Sequence, residues 1–131
     1  MKLGKYFTLE ELIKTNSKLV NVPSKAETEN LRLLVVNVLD PLREKYGKPI
    51  TVNSGYRSPI VNARVGGAKN SDHVKGMAAD ITAGSKEENK KLFEIIRDNF
   101  TFRQLINEYD YKWVHVSFNK DDNKKQILAI K

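Results

Sequence analysis

The sequence predicts an α+β fold, a small antiparallel sheet flanked by helices, and three observations carry that prediction. Helical spacing and helix-capping signals fill residues 8–47 and return at 85–100. Strand-like alternation fills residues 102–130. Helices come mostly first and a strand meander last, which argues against an alternating, parallel βαβ array. The length of 131 residues suits a single domain, taken as 1–131, large enough to bury a core without disulfides.

Each element has a local reason. Thr8 and Glu11 form a capping box with Phe7 placed as a staple, so a first helix runs to about Thr15. Ser24 and Glu27 repeat the device after Pro23 and open a longer helix. Its buried face is Leu31, Leu34, Val35, Val38, Leu39 and Leu42. Pro41 must kink that helix or restart it with Asp40 as cap, and Gly47 ends it. Ile50-Thr51-Val52-Asn53 alternates like a strand. Ser58-Pro59 starts a short helix that Gly66-Gly67 closes. Residues 68–76 lack periodicity and read as a loop, followed by a short strand at Met77–Thr82. Ser85 and Glu88 suggest a third capping box, ahead of a helix with Leu92, Phe93, Ile95, Ile96 and Phe100 on its packed face. Strands follow at Phe102–Tyr109, Lys112–Phe118 and Gln126–Ile130, with turns at Asp110-Tyr111 and Asn119–Asn123.

Composition narrows the chemistry. The chain is 40% hydrophobic and 30% charged, has no cysteine, and contains two histidines. Apolar and charged residues interleave, so no run approaches the ~20 residues of a membrane span, and no membrane association is expected. Apolar residues in every segment argue against disorder. The absence of cysteine removes disulfides, thiolate zinc sites and cysteine nucleophiles together, leaving His and carboxylate as metal ligands. The formal charge of +7 suits anionic polymers, but the lysines are scattered and a solvated basic surface accounts for them. No nucleic-acid motif accompanies the charge, so no nucleic-acid partner is expected. The N-terminal residues lack the apolar core of a secretory signal. That suits a protein held in the cytoplasm until a separate pore releases it, or one exported by another route. A monomer is expected.

In Trp113-Val114-His115-Val116-Ser117-Phe118, alternation places Val114, Val116 and Phe118 on the core face and Trp113, His115 and Ser117 on the other. A lone histidine there is more often structural than a ligand. The second histidine, His73, lies among the small residues of the segment ending in Asp80, a carboxylate in an otherwise apolar strand. Such a carboxylate must be paired, hydrogen-bonded or bound to metal, or it caps a nearby loop. His73, Asp80 and His115 together would make a three-ligand zinc site with one open, catalytic position. Hydrolysis at such a site also needs a proton shuttle, and Glu108 and Asp110 are the candidates. A hairpin centred on Asp110-Tyr111 puts Glu108 opposite Trp113, on the His115 face, and Asp110 in the turn. A one-residue slip would invert the two, and a surface carboxylate on an edge strand is an equal reading of Glu108. Arg57 offers a fork for a carboxylate or oxyanion, although bonding to loop carbonyls is the commoner use of such a residue.

Ser71-x-His73-x-x-Gly76-x-Ala78-x-Asp80, with Trp113-x-His115 downstream and Ser54-Gly55-Tyr56-Arg57-Ser58 upstream, resembles the M15 zinc peptidases. These are D-alanyl-D-alanine carboxypeptidases and peptidoglycan endopeptidases, sharing a fold with the hedgehog signalling domain. The segments Phe7–Leu12 and Leu39–Glu44 are similar to the short, phage-associated, endolysin-like branch. The resemblance covers nearly the whole chain, and the His-x6-Asp plus Trp-x-His combination is its specific part. It implies Zn2+ held by His73, Asp80 and His115, with Glu108 as general base and Arg57 steadying the carbonyl or oxyanion. It places Ser71, Arg57 and Trp113 on the substrate side and peptidoglycan stem peptides as the substrate. Some branches carry the acidic base three residues before the last histidine, where this chain has Lys112. A non-catalytic, metal-containing wall- or protein-binding module is the alternative from another class. A non-haem iron oxygenase ranks last, because its tight His-x-Asp pairing is missing.

Overall fold

The computed structural model describes residues 1–131. Thr8 and Glu11 form the expected reciprocal box and start a single turn, Leu9–Leu12 (α1), with Phe7 buried beside it. The helix stops short of Thr15 because another part of the chain crosses it, and the Leu12 carbonyl accepts the N–H of Tyr56 at 2.7 Å. Ser24 and Glu27 form a second complete box and open Lys25–Leu34 (α2). The path continues through a π turn, Val35–Leu39, into Asp40–Tyr46 (α3). This turn is the form taken by the break expected at Pro41. Asp40 N–H reaches back to the Val35 carbonyl, and the wider turn accommodates a ring that lacks its own N–H. Asp40 does not cap its own helix. Its carboxylate instead accepts the N–H groups of Lys5 at 2.6 Å and Tyr6 at 3.1 Å, pinning the N-terminal loop to α3.

The sheet contains Thr51–Ser54 (β1), Ala78–Thr82 (β2), Gln104–Glu108 (β3), Trp113–Ser117 (β4) and Gln126–Ile130 (β5), in the order β1-β2-β4-β3-β5. All neighbours are antiparallel except β3 and β5, which are parallel. The expected closing meander is therefore replaced by a crossover. Both edges of β4 are already occupied, and the chain leaves β4 beside the start of β3, because Gln104 pairs with Ser117. The one free edge within reach is that of β3, and a strand entering there runs parallel to it.

Alternation then divides the sheet into two faces. Ala79, Ile81, Leu105, Val114 and Val116 join the apolar faces of the helices in one core, with Leu31, Leu34, Val38, Leu42, Leu92 and Ile96 all fully buried. Ser85 caps Lys86–Asn99 (α5), which packs on this side, but its box is half formed. The Glu88 carboxylate turns away from the Ser85 N–H to accept from Tyr46 at 2.5 Å and Lys48 at 3.1 Å, where charge-assisted bonds are available. The opposite face carries Asp80, His115, Ile106 and Glu108. A short 3₁₀ turn, Asp72–Lys75, in the segment expected to be a loop, packs beside β2, and Pro59–Arg64 (α4) packs against that turn. No helix is long and apolar enough to cross a membrane.

Candidate metal centre and active site

Sheet register builds the first half of the site. Asp80 pairs directly with His115, so their side chains emerge together on the face away from the core. A bulge between Val52 and Ser54 brings Ser54 opposite Asp80 as well. The second half comes from the 3₁₀ turn. Ser71 caps it by accepting the N–H of His73 at 3.2 Å, and Gly76 closes it at φ 74°, a left-handed conformation that suits glycine. Gly55 and Arg57 clamp the turn from outside. The Gly55 carbonyl lies 2.7 Å from His73 Nδ1, and Arg57 N–H donates to the His73 carbonyl at 3.0 Å.

The Gly55 carbonyl can only accept, so Nδ1 of His73 carries the proton and Nε2 presents its lone pair to the cluster. Nε2 of His73 lies 3.3 Å and Nδ1 of His115 3.0 Å from the same oxygen, Asp80 Oδ1. All three residues are buried, and their donor atoms lie within 4.8 Å of one another. Ligands about 2.0–2.2 Å from a tetrahedral zinc sit ~3.4 Å apart, so this two-histidine, one-carboxylate set fits Zn2+. Burial opposes ionisation of Asp80, yet the adjoining imidazoles of His115 and His73 hold its carboxyl well below the ordinary range. The second oxygen of Asp80 is taken by Arg57, whose Nη2 lies 3.3 Å away. Arg57 also donates through Nε to Ser54 Oγ at 2.9 Å and through Nη1 to Asn62 Oδ1 at 3.3 Å. Its fork is engaged with side chains rather than with loop carbonyls.

Glu108 pairs with Trp113, the register expected from the hairpin. Its Oε2 accepts the Trp113 indole N–H at 3.1 Å and lies 4.0 Å from His115 Nδ1. Asp110 sits in the turn, exposed, with Lys86 Nζ at 2.6 Å. Three successive residues of that turn, Tyr109, Asp110 and Tyr111, have positive φ, and Asn107 holds it by accepting the Tyr111 N–H at 2.5 Å. Trp113 stacks edge-on against Tyr109 and reaches the site through Glu108.

The cluster opens into a cavity of about 510 Å³ whose lining includes Arg57, Ser71, His73, Asp80, Glu108 and His115. Sequence reasoning missed Asp72 and Arg103, which line it too. Arg103 Nε lies 3.1 Å from the Asp72 carboxylate. No local pattern signals an ion pair between residues so far apart in sequence. The buried Nε2 of His115 and Nε of Arg103 have no hydrogen-bond partner within the protein.

Residues 5–117 match the family described as Peptidase M15. The chain is also 45% identical over 82 residues to a zinc D-Ala-D-Ala carboxypeptidase from Streptomyces albus G. That match covers 61% of this chain and 32% of the relative, so the chain spans about a third of the length of the curated relative.

Proposed function

The chain belongs to the peptidase M15 family, and from that premise we propose that it is a zinc-dependent peptidase acting on peptidoglycan stem peptides, with removal of a terminal D-alanine as its reaction. The observation that carries this reading is the meeting of His73, Asp80 and His115 around one carboxylate oxygen, with Glu108 beside them in an open cavity. A purely structural metal site is normally closed, and this one has room for water and a peptide.

Zn2+ held by His73, Asp80 and His115 would polarise the scissile carbonyl and lower the pKa of water toward ~7. Glu108 takes the proton of the attacking water and returns it to the leaving amine. Trp113 fixes the rotamer of that carboxylate by donating to Oε2, which leaves Oε1 for the moving proton. Arg57 holds the outer oxygen of Asp80 and keeps Oδ1 aimed at the histidines. Its positive charge also lies beside the developing oxyanion, where such electrostatic help commonly contributes ~100–1000-fold in rate. Ser71 orders the turn that carries His73.

Digestion of purified peptidoglycan by zinc-loaded protein, followed by mass spectrometry of the fragments, tests the reading. Loss of one terminal D-alanine per stem is the expected result. Cleavage inside the stem would reassign the reaction to an endopeptidase. Absence of any new terminus from several wall types would end the peptidase reading.

A further inference from the structure

Arg103 lies between α5 and β3, outside every motif quoted above, yet it lines the same cavity as the metal cluster. It is held in place from several sides. Its backbone N–H donates to the Ser117 carbonyl at 2.8 Å, and its own carbonyl accepts the N–H of Gln126 at 3.0 Å. On its inner side, Nε faces the Asp72 carboxylate, which is 7% exposed. On its outer side, Nη1 donates to Asp122 at 3.3 Å, and that carboxylate is 43% exposed. A guanidinium carries five donors in a planar fork, enough to engage a buried carboxylate and an exchangeable one together.

Position and charge both indicate what exchanges. Ser117 lies two residues beyond His115 on the same face of β4, about 7 Å along the strand. A peptide whose scissile bond sits at the cluster extends ~3.3–3.6 Å per residue, so a terminus one residue further on comes within a side chain's reach of Arg103. The charged groups of the lining are Arg57 and Arg103 against Asp72, Asp80 and Glu108. A divalent cation turns that balance to one net positive charge, the complement of one substrate carboxylate. Arg57 is already bonded through all three nitrogens. Arg103 has its outer side occupied only by a surface aspartate.

Building on the peptidase reading, we infer that Arg103 recognises the free C-terminal carboxylate of the substrate, and that this carboxylate displaces Asp122. Arg103 thereby selects peptides that end one residue beyond the cleaved bond. A chain that continues past that point presents no carboxylate there and leaves Arg103 on Asp122. Asp72 is the positioning residue beneath it, and Asp122 is its competitor.

The test compares a peptide ending in D-Ala-D-Ala as the free acid with its C-terminal amide, on zinc-loaded protein. Arg103→Gln is expected to lower the acid-to-amide ratio of kcat/KM by roughly 10- to 100-fold, the usual weight of a charge-assisted hydrogen bond. Asp122→Asn leaves the buried Arg103–Asp72 pair intact and is expected to lower KM for the acid while leaving the amide unaffected. In metal-free protein, where nothing is turned over, the free acid is expected to shift the Arg103 Nε–H resonance and the amide is not. An unchanged ratio in Arg103→Gln, or an unchanged KM in Asp122→Asn, overturns the assignment alone. Zinc-loaded wild-type protein that cleaves neither peptide overturns removal of a terminal D-alanine as the reaction, and this inference with it.

Discussion

The indole N–H of Trp113 donates to Oε2 of Glu108 at 3.1 Å, across the single register position that pairs the two residues in the β3–β4 hairpin. The same carboxylate oxygen stands 4.0 Å from Nδ1 of His115. One hydrogen bond therefore couples the tryptophan of the Trp-x-His motif to the group proposed to move the proton. On the proposed mechanism Trp113 acts through Glu108, as a positioning residue.

Two substitutions separate these roles. Glu108→Gln keeps the shape and the indole bond but cannot take a proton, so kcat is expected to fall ~100- to 10,000-fold with zinc content unchanged. Trp113→Phe leaves the carboxylate present but free to rotate, and a loss of about 10-fold in kcat is expected. Added zinc should restore activity in neither case. A Glu108→Gln protein with wild-type turnover would remove the general-base assignment.

The proposed metal ligands make a prediction independent of turnover. Ala at His73, Asp80 or His115 is expected to abolish stoichiometric zinc, measured by metal analysis after dialysis. Two such variants that retained it would show the ligand assignment to be wrong. Zinc binding to the folded chain also stabilises it, by ~4 kcal/mol at a thousandfold excess over the dissociation constant. A chelator should therefore lower the melting temperature of the wild type and leave that of Asp80→Ala unchanged.

Local chemistry explains which features were legible in the sequence. The Thr8/Glu11 and Ser24/Glu27 boxes are written within three residues of each other, and both form. The Glu108–Trp113 register follows from a short turn between two alternating runs, and it too forms. What escaped depends on distant partners. Ser85 finds Glu88 diverted to Tyr46 and Lys48 on another part of the fold. Asp40 serves the N-terminal loop rather than its own helix. β5 turns parallel because β4 has no free edge, a fact of topology with no signature in Gln126–Ile130 itself. The same limit hid Arg103, whose partners Asp72 and Asp122 lie on either side of it in sequence and far from it. The His73, Asp80 and His115 cluster was accessible because the chain offers only two histidines and no cysteine.

Gly55 predicts a link between packing and metal affinity. A Cβ at this position would fall on the Leu12 carbonyl oxygen, which already accepts the Tyr56 N–H. Gly55→Ala must therefore push the backbone whose carbonyl orients His73 Nδ1. Expected losses are ~1–3 kcal/mol of stability from overpacking and about 10- to 100-fold in zinc affinity from the displaced orienting bond. Gly47→Ala is the control. Gly47 has φ 79° and open space around its Cβ position, so the substitution should cost ~1 kcal/mol and leave zinc affinity alone. Chemical denaturation of metal-free protein, paired with zinc competition against a chromophoric chelator, distinguishes the two.

The Tyr46–Glu88 contact predicts a pH dependence of stability unrelated to the metal. Hydrogen bonds from Lys91, Tyr46 and Lys48 pull the Glu88 carboxyl down to about 2. Its pKa is thus lower folded than unfolded, so its contribution is fully present above the ordinary value of 4.5 and is lost as pH falls toward 2. Burial and the neighbouring Glu88 push the Tyr46 hydroxyl up to about 12. That contribution is present below the ordinary value of 10.0 and is lost as pH rises through about 12. Urea midpoints of metal-free protein should accordingly fall at both extremes. Glu88→Gln should flatten the acid limb between pH 4.5 and 2, and Tyr46→Phe the alkaline limb above pH 10, because each removes one of the two titrating partners. Wild-type limbs in both variants would mean that the pair joining α3 to α5 contributes nothing to the folded state.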